Sequence, residues 1–445
     1  MAKITFLGAG STVFAKNILG DCMLTPALQG FEFALFDIDQ SRLEDSKNML
    51  THLKKSLGST CEIKAYTNRK QALKGAKYVI NAIQVGGYDP CTITDFEIPK
   101  KYGLRQTIAD TIGIGGIFRN LRTIPVMMDF ARDMQEVCPD AWLLNYTNPM
   151  AVLTNVMIND GGVKTVGLCH SVQVCVPRLF KQLGMDSEGV QSKIAGINHM
   201  AWLLEVTKDG EDLYPEIKRR AAAQENETHD DMVRFELMKK FGYYVTESSE
   251  HNAEYYPYFI KEKYPELIDR FNIPLDEYPR RCVKQIEKWQ KMREELVNNT
   301  DLTHDRSREY ASRMLEAMET NEPYKIGGNV MNEGLIPNLP EEACVEVPCL
   351  VDSSGVTPTH IGDLPQQLAA LNRTNINTQL MTIEAARTQK KEAVYQAAFL
   401  DPHTSAELSL DEIVSLCDDL IEAHGSWLPK FHSTAAATSG ETVKN

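Results

Sequence analysis

Lys3-Ile4-Thr5-Phe6-Leu7 runs straight into Gly8-Ala9-Gly10-Ser11-Thr12, and a helical stretch over residues 14–25 follows. A strand, a tight glycine turn and a helix, in that order, constrain the fold more than any other feature of the chain. The glycines let the backbone approach a ligand closely. The free N–H groups opening the helix lie at the positive end of its dipole and suit a pyrophosphate. A second strand over 31–36 ends at Asp37-Ile38-Asp39. A carboxylate there accepts hydrogen bonds from both ribose hydroxyls of an adenosine and repels a 2′-phosphate, so NAD is favoured over NADP. Gly8, Gly10, Ser11, Thr12 and Asp37 are therefore the expected cofactor residues. The fingerprint is imperfect, because Val13 holds the third glycine position and Asp37 stands farther along than usual.

The alternation of strand and helix continues. An apolar strand over 78–84 contains Asn81, also assigned to the cofactor, and leads to Val85-Gly86-Gly87, a turn suited to the nicotinamide half. A strand over 142–146 ends at Thr147-Asn148-Pro149, and another over 163–168 ends at Cys169. Ligands of open parallel sheets bind beyond the carboxyl ends of the strands, which is where Asn148 and Cys169 stand. From about residue 170 the alternation loosens. Charged helical stretches cover 230–241, 280–296 and 306–319, extended segments 327–351, and helices again 365–399 and 410–423. The expected class is α/β: a Rossmann-type domain over 1–168, a mixed α+β domain over 169–432, and a small polar tail over 433–445 expected to be disordered.

Composition narrows the partners. The 445 residues are 43% hydrophobic and 24% charged, as in an ordinary globular protein. With 47 Lys and Arg against 61 Asp and Glu, the net charge of −14 disfavours nucleic acid and anionic membranes. No apolar stretch is long enough to span a bilayer, and Met1-Ala2-Lys3 opens no signal-peptide pattern. The 10 cysteines include no Cys-x-x-Cys pair and lie in segments that read as buried, which favours a reducing cytoplasm over a disulfide framework.

Downstream of the fingerprint stand Cys169-His170-Ser171-Val172 and Gly196-Ile197-Asn198-His199. A thiolate and an imidazole can hold a divalent metal, and a metal beside an oxidised nicotinamide can polarise an alcohol while hydride leaves its carbon. By residue type alone the pair suits zinc before manganese, and a buried cysteine is usually inert.

With the fingerprint and Asn145-Tyr146-Thr147-Asn148-Pro149, these elements give a chain that resembles glycoside hydrolase family 4, the NAD- and metal-dependent glycosidases. The Cys-His-Ser-Val wording is most like the α-galactosidase branch, with α-glucosidase and α-glucuronidase as the nearest alternatives. The resemblance runs from Lys3 to about Lys430 and implies the following roles. Cys169 and His199 hold Mn²⁺, with open positions for substrate hydroxyls. His170 protonates the leaving oxygen, its titration lying near neutrality. A tyrosine of Glu247-Ser248-Ser249-Glu250-His251-Asn252-Ala253-Glu254-Tyr255-Tyr256 acts as base, Tyr255 first and Tyr256 as alternate. Arg281, beside Arg280, is placed on the substrate side. The loop Asp110-Thr111-Ile112-Gly113-Ile114-Gly115-Gly116, ahead of a helix with Arg119 and Arg122, offers the Asp110 carboxylate to sugar hydroxyls. Asn148 completes the expected substrate set. Relatives assemble as homodimers or homotetramers.

The implied reaction is temporary oxidation at C3, elimination across C1 and C2, water addition, and return of hydride. Such enzymes are an exception to the two-carboxylate rule for glycosidases. The rival is a dehydrogenase of the lactate or malate type, whose fold the N-terminal half resembles. It lacks support here: the His-Gly pair, His424-Gly425-Ser426, lies in the C-terminal helical region, and Asp129 and Arg132 sit one turn apart, as a surface pair would.

Overall fold

The computed structural model describes residues 1–433. Six strands form a parallel set: β1 (Lys3–Leu7), β2 (Glu32–Phe36), β3 (Glu62–Tyr66), β4 (Tyr78–Asn81), β5 (Trp142–Asn145) and β6 (Thr165–Gly167), in the order β3-β2-β1-β4-β5-β6. This is the doubly wound order of dinucleotide-binding folds, with its reversal between β1 and β4. β1, β2 and β4 are almost wholly buried because helices cover both faces, which is why they read as apolar runs. β3, Glu-Ile-Lys-Ala-Tyr, is a half-exposed edge strand and carries no such run.

The second half extends the same sheet. Strands β7 (Gln191–Ile197), β8 (Met200–Lys208), β9 (Glu211–Asp212), β10 (Tyr244–Val245), β11 (Tyr324–Met331), β12 (Cys344–Asp352) and β13 (Gly355–Pro358) join it antiparallel, in the order β6-β11-β12-β7-β8-β10. β9 pairs with β8 and β13 with β12. The register aligns one row of residues across the sheet. Phe36 pairs with Leu7, Leu7 with Asn81, Asn81 with Asn145, and Asn145 with Gly167. Gly167 then pairs with Asn329, Asn329 with Glu346, Glu346 with Gly196, and Gly196 with Ala201. Asp37, Gly8, Asn148, Cys169 and His199 all follow this row within a few residues. One sheet edge thus gathers segments that are far apart in the chain.

Some elements differ from the expected bounds. The helix expected to start at 306 starts at Ala311, because the residues before it are held as an irregular segment by side chains. The helical region 365–399 is two helices, Gln366–Thr388 and Lys391–Leu400, separated at Gln389, whose φ is +54°. The β7–β8 hairpin carries the Asn198-His199 turn. Apart from Ser433, whose hydroxyl donates to Glu392 Oε1 at 2.8 Å, the expected disordered tail lies outside the described residues. All ten cysteines are buried and unpaired, and no helix among the described residues is long and apolar enough to cross a membrane.

Candidate active site

Three strand ends supply three metal-type donors. Cys169 follows β6 and caps the helix His170–Gln182, its Sγ accepting the Ser171 N–H at 3.4 Å. His199 occupies the two-residue turn between β7 and β8, and Glu247 follows β10. One ligand atom from each of Cys169, His199 and Glu247 lies within 4.8 Å of the other two. His199 and Glu247 both have φ of +64°, a conformation that non-glycine residues adopt at a cost of about 1–3 kcal/mol. The hairpin and β10 impose it, and it points both side chains at the sulfur. Glu247 went unrecognised as a donor in the sequence. It opens the polar segment read for its tyrosines, but no local spacing ties it to Cys169.

The charges fit a cation. Burial, helped by Glu346 and Glu247, pushes the Cys169 thiol far above its ordinary range, so an ion must displace its proton. Burial also pushes Glu247 upward, but His199, His251, Arg234 and Arg178 outweigh it and hold this carboxyl down to about 2. Behind the trio, Glu346 accepts from Asn329 Nδ2 at 3.0 Å and is pushed up to about 7, chiefly by burial.

The two expected proton-transfer residues flank the trio. Tyr255 Oη lies 3.0 Å from His199 Nδ1, while His199 Nε2 faces Glu247 Oε2 at 3.6 Å. A histidine that binds metal through Nε2 carries its proton on Nδ1, so Tyr255 then accepts that N–H. Burial, with Asp110, Glu254 and Glu247 nearby, raises the Tyr255 hydroxyl well above its ordinary value. Tyr256 is also buried, but its ring stacks on Tyr258 and its hydroxyl has no hydrogen-bond partner among the described residues. His170, half-buried, places Nε2 2.7 Å from Glu309 Oε2. That bond, against the opposing effect of burial, raises its pKa.

At the end of β1, Gly8 has φ of +85°, and a Cβ there would come 2.7 Å from the Ala82 carbonyl oxygen. Only glycine fits this turn. The helix it feeds, Thr12–Met23, has Ser11 at its cap with no side-chain capping bond and no acidic residue in its first turn. Its opening amides are thus left for an anion. Asp37 Oδ2 accepts the Gly10 N–H at 2.7 Å and Oδ1 the Asp39 N–H at 2.9 Å, which fixes the carboxylate beside the turn. Asn81 is fully buried; its Nδ2 donates to Asn145 Oδ1 at 2.9 Å and to Thr147 Oγ1 at 3.1 Å. These bonds tie β4 to β5, while the buried Asn81 Oδ1 has no hydrogen-bond partner among the described residues.

The expected substrate residues divide. Asp110 Oδ1 lies 3.9 Å from His251 Nε2, and the His251 ring meets the His199 ring edge-on at 5.1 Å, so Asp110 joins the cluster. Asn148 has a buried Oδ1 with no hydrogen-bond partner among the described residues. Arg281 is held by two carboxylates, its Nε on Glu277 at 2.9 Å and Nη2 on Glu250. A buried guanidinium near Asp110 belongs to Arg119, which lies 5.7 Å over the Tyr278 ring. The residues of the dehydrogenase rival are elsewhere: His424 is buried against Asp95 at 2.9 Å, and Arg132 pairs with Asp129 on an exposed helix face.

The chain and its fold have known relatives. Residues 3–185 match the profile of family 4 glycosyl hydrolases and residues 194–404 that family's C-terminal domain. An alpha-galactosidase of Bacillus subtilis (strain 168) is 69% identical over 431 residues, covering 97% of this chain and 100% of that one. An alpha-galactosidase of Rhizobium meliloti (strain 1021) is 35% identical over 98% of this chain and 91% of its own. A 6-phospho-alpha-glucosidase from gut microorganisms, solved in complex with NAD and Mn²⁺, shares the fold at a TM-score of 0.78 and 20% identity, over 97% of this chain and 100% of that one. The chain thus belongs to family 4 of the glycosyl hydrolases.

Proposed function

We propose that the chain hydrolyses α-galactosides of the melibiose or raffinose type, using NAD and Mn²⁺, by oxidation, elimination, addition and reduction. The observation that carries this reading is the convergence of Cys169, His199 and Glu247 between His170 and Tyr255. The 69% identity to an alpha-galactosidase supports the substrate class.

The donors suit the ion. Cys169 and His199 alone favour zinc, but the Glu247 carboxylate adds the oxygen ligand that manganese prefers. When bound, NAD⁺ supplies a hydride acceptor and the cation a Lewis acid for sugar oxygens. The chain does the rest. Gly8, Gly10, Ser11 and Thr12 seat the pyrophosphate, and Asp37 takes the ribose hydroxyls. Asp110 and Asn148 orient sugar hydroxyls, the Asn148 Oδ1 being free to accept one. Tyr255 Oη, held by the His199 Nδ1–H, takes the C2 proton and later returns it. His170 protonates the departing oxygen. In this reading the cofactor half is 1–168, with Asn81 among its cofactor residues, and the metal and substrate half is 169–432. Arg281, steadied by Glu277 and Glu250, stands on the substrate side. The enzyme works in the cytoplasm as a homodimer or homotetramer.

Turnover of p-nitrophenyl α-galactoside with and without NAD⁺ and Mn²⁺ tests the reading. Dependence on both, with no net NADH, is expected. Full activity without either would overturn it, and steady NADH release would favour a dehydrogenase.

A further inference from the structure

His170 is held by a carboxylate from a distant part of the chain. Its Nε2 meets Glu309 Oε2 at 2.7 Å, and the Glu309 side chain is 10% exposed against 45% for the imidazole. Glu309 makes no other side-chain hydrogen bond among the described residues. His170 Nδ1 has no hydrogen-bond partner among them either.

The segment carrying Glu309, between Asn298 and Ala311, has no helix or strand, and side chains hold it. The Glu309 N–H donates to Ser307 Oγ at 3.1 Å. Ser307 donates its own N–H and hydroxyl to Asp21, at 2.8 and 2.5 Å. His304 meets Asp21 Oδ1 at 2.7 Å, with its ring seated on Gly20, where a Cβ would come within 2.8 Å. Just beyond, the Ala311 N–H donates to Tyr146 Oη at 3.2 Å. The Tyr146 ring lies 6.2 Å from the His170 ring and 5.1 Å from Phe14. Phe14, Gly20 and Asp21 all belong to Thr12–Met23, the helix that follows the Gly8–Ser11 turn. The carboxylate at the edge of the imidazole and the ring near it are both anchored to that helix.

We propose that Glu309 is the positioning residue for His170, fixing the imidazole on the cofactor helix so that Nδ1 is aimed at the leaving oxygen. The proposal rests on His170 being the acid of the glycosidase reading. With Nε2–H bound to Glu309, the proton to be given stands on Nδ1, the only free ring nitrogen. As the C1–O bond breaks, its electron pair stays on the leaving oxygen, which takes the Nδ1 proton and departs as an alcohol. The neutral ring keeps its Nε2–H on Glu309. It recovers a proton at Nδ1 from the water whose oxygen then bonds C1. Without the carboxylate the ring is free to turn about its broad terminal torsion, and neither nitrogen is held toward the substrate.

Leaving-group dependence separates this role from a merely structural one. A nitrophenolate departs without a proton, whereas the alkoxide of an α-galactosyl disaccharide does not. Glu309→Ala should lower kcat on the disaccharide by about 10²-fold, the lower end of general-acid catalysis, and on p-nitrophenyl α-galactoside by less than about tenfold, while Glu309→Gln, whose amide oxygen still accepts the Nε2–H, should keep most of the disaccharide rate. His170→Ala should give the same split, and the double variant little further loss. Calorimetric affinities for NAD⁺ and Mn²⁺ should stay unchanged. Equal losses on both glycosides, or lost cofactor binding, would overturn the positioning role. If the unmodified enzyme cleaves neither glycoside, the glycosidase reading itself has failed, and this proposal with it.

Discussion

The Tyr255 hydroxyl lies 3.0 Å from Nδ1 of His199, a residue 56 positions earlier in the chain. The same imidazole turns Nε2 toward Glu247, so the expected base and the expected metal site share one ring. A cation held by Cys169, His199 and Glu247 would favour the tyrosinate that burial otherwise opposes.

Removing the hydroxyl therefore tests the base. Tyr255→Phe should lower kcat by about 10²–10⁴-fold. Hydrolysis in D₂O should place deuterium at C2 of the galactose released by the unmodified enzyme, and the variant should lose exchange together with turnover. Normal exchange in a variant that no longer turns over would transfer the base role to another residue, Tyr256 being next in line.

The metal trio makes a separate prediction. Cys169→Ser should abolish Mn²⁺ binding in calorimetry while NAD⁺ binding persists, because the fingerprint and the trio lie at different strand ends. Glu247→Gln keeps the shape but removes the charge and should weaken Mn²⁺ by at least about tenfold. Unimpaired Mn²⁺ affinity in Glu247→Gln would take the carboxylate out of the site.

Cofactor choice should follow Asp37. Its carboxylate stands beside the turn, bonded to the Gly10 N–H at 2.7 Å, where a 2′-phosphate would meet like charge. Asp37→Ala should narrow the gap between NAD⁺ and NADP⁺ affinities. An unmodified enzyme that binds both equally would remove this role.

Stability should depend on pH through Asp21. Burial pushes its carboxyl up, but hydrogen bonds from His304 and Ser307 outweigh this and hold it below the ordinary aspartate range. The folded value lies below the unfolded one of about 3.9, so the stabilisation is complete above that pH and is lost as pH falls through the folded value. Asp21→Asn should lower Tm clearly at pH 6, and the gap should shrink toward pH 3. A gap that is constant with pH would show that charge plays no part.

Much of the cofactor half was legible in the sequence, because its signals are local. A buried parallel strand must be apolar along its length, and a turn with φ of +85° at Gly8 requires glycine, so both leave a mark at their own positions. The half-exposed β3 left none. Cys169, His170 and His199 were legible through the wording of short elements, and Tyr255 through a dense polar segment. The partners of these residues were not. Glu247 reaches Cys169 only because β10 and β6 enter one sheet, and Glu309 reaches His170 only because Asp21 anchors an irregular segment. Likewise the sequence carried no sign that Arg281 would bond Glu250 and Glu277, or that the Asn81 amide would donate to Asn145 and Thr147. The sequence by itself determined the backbone conformations and residue types of the site, since short-range sterics and burial dictate them. Tertiary structure alone decided which charges meet, because sheet register brings together groups whose separation along the chain carries no signal.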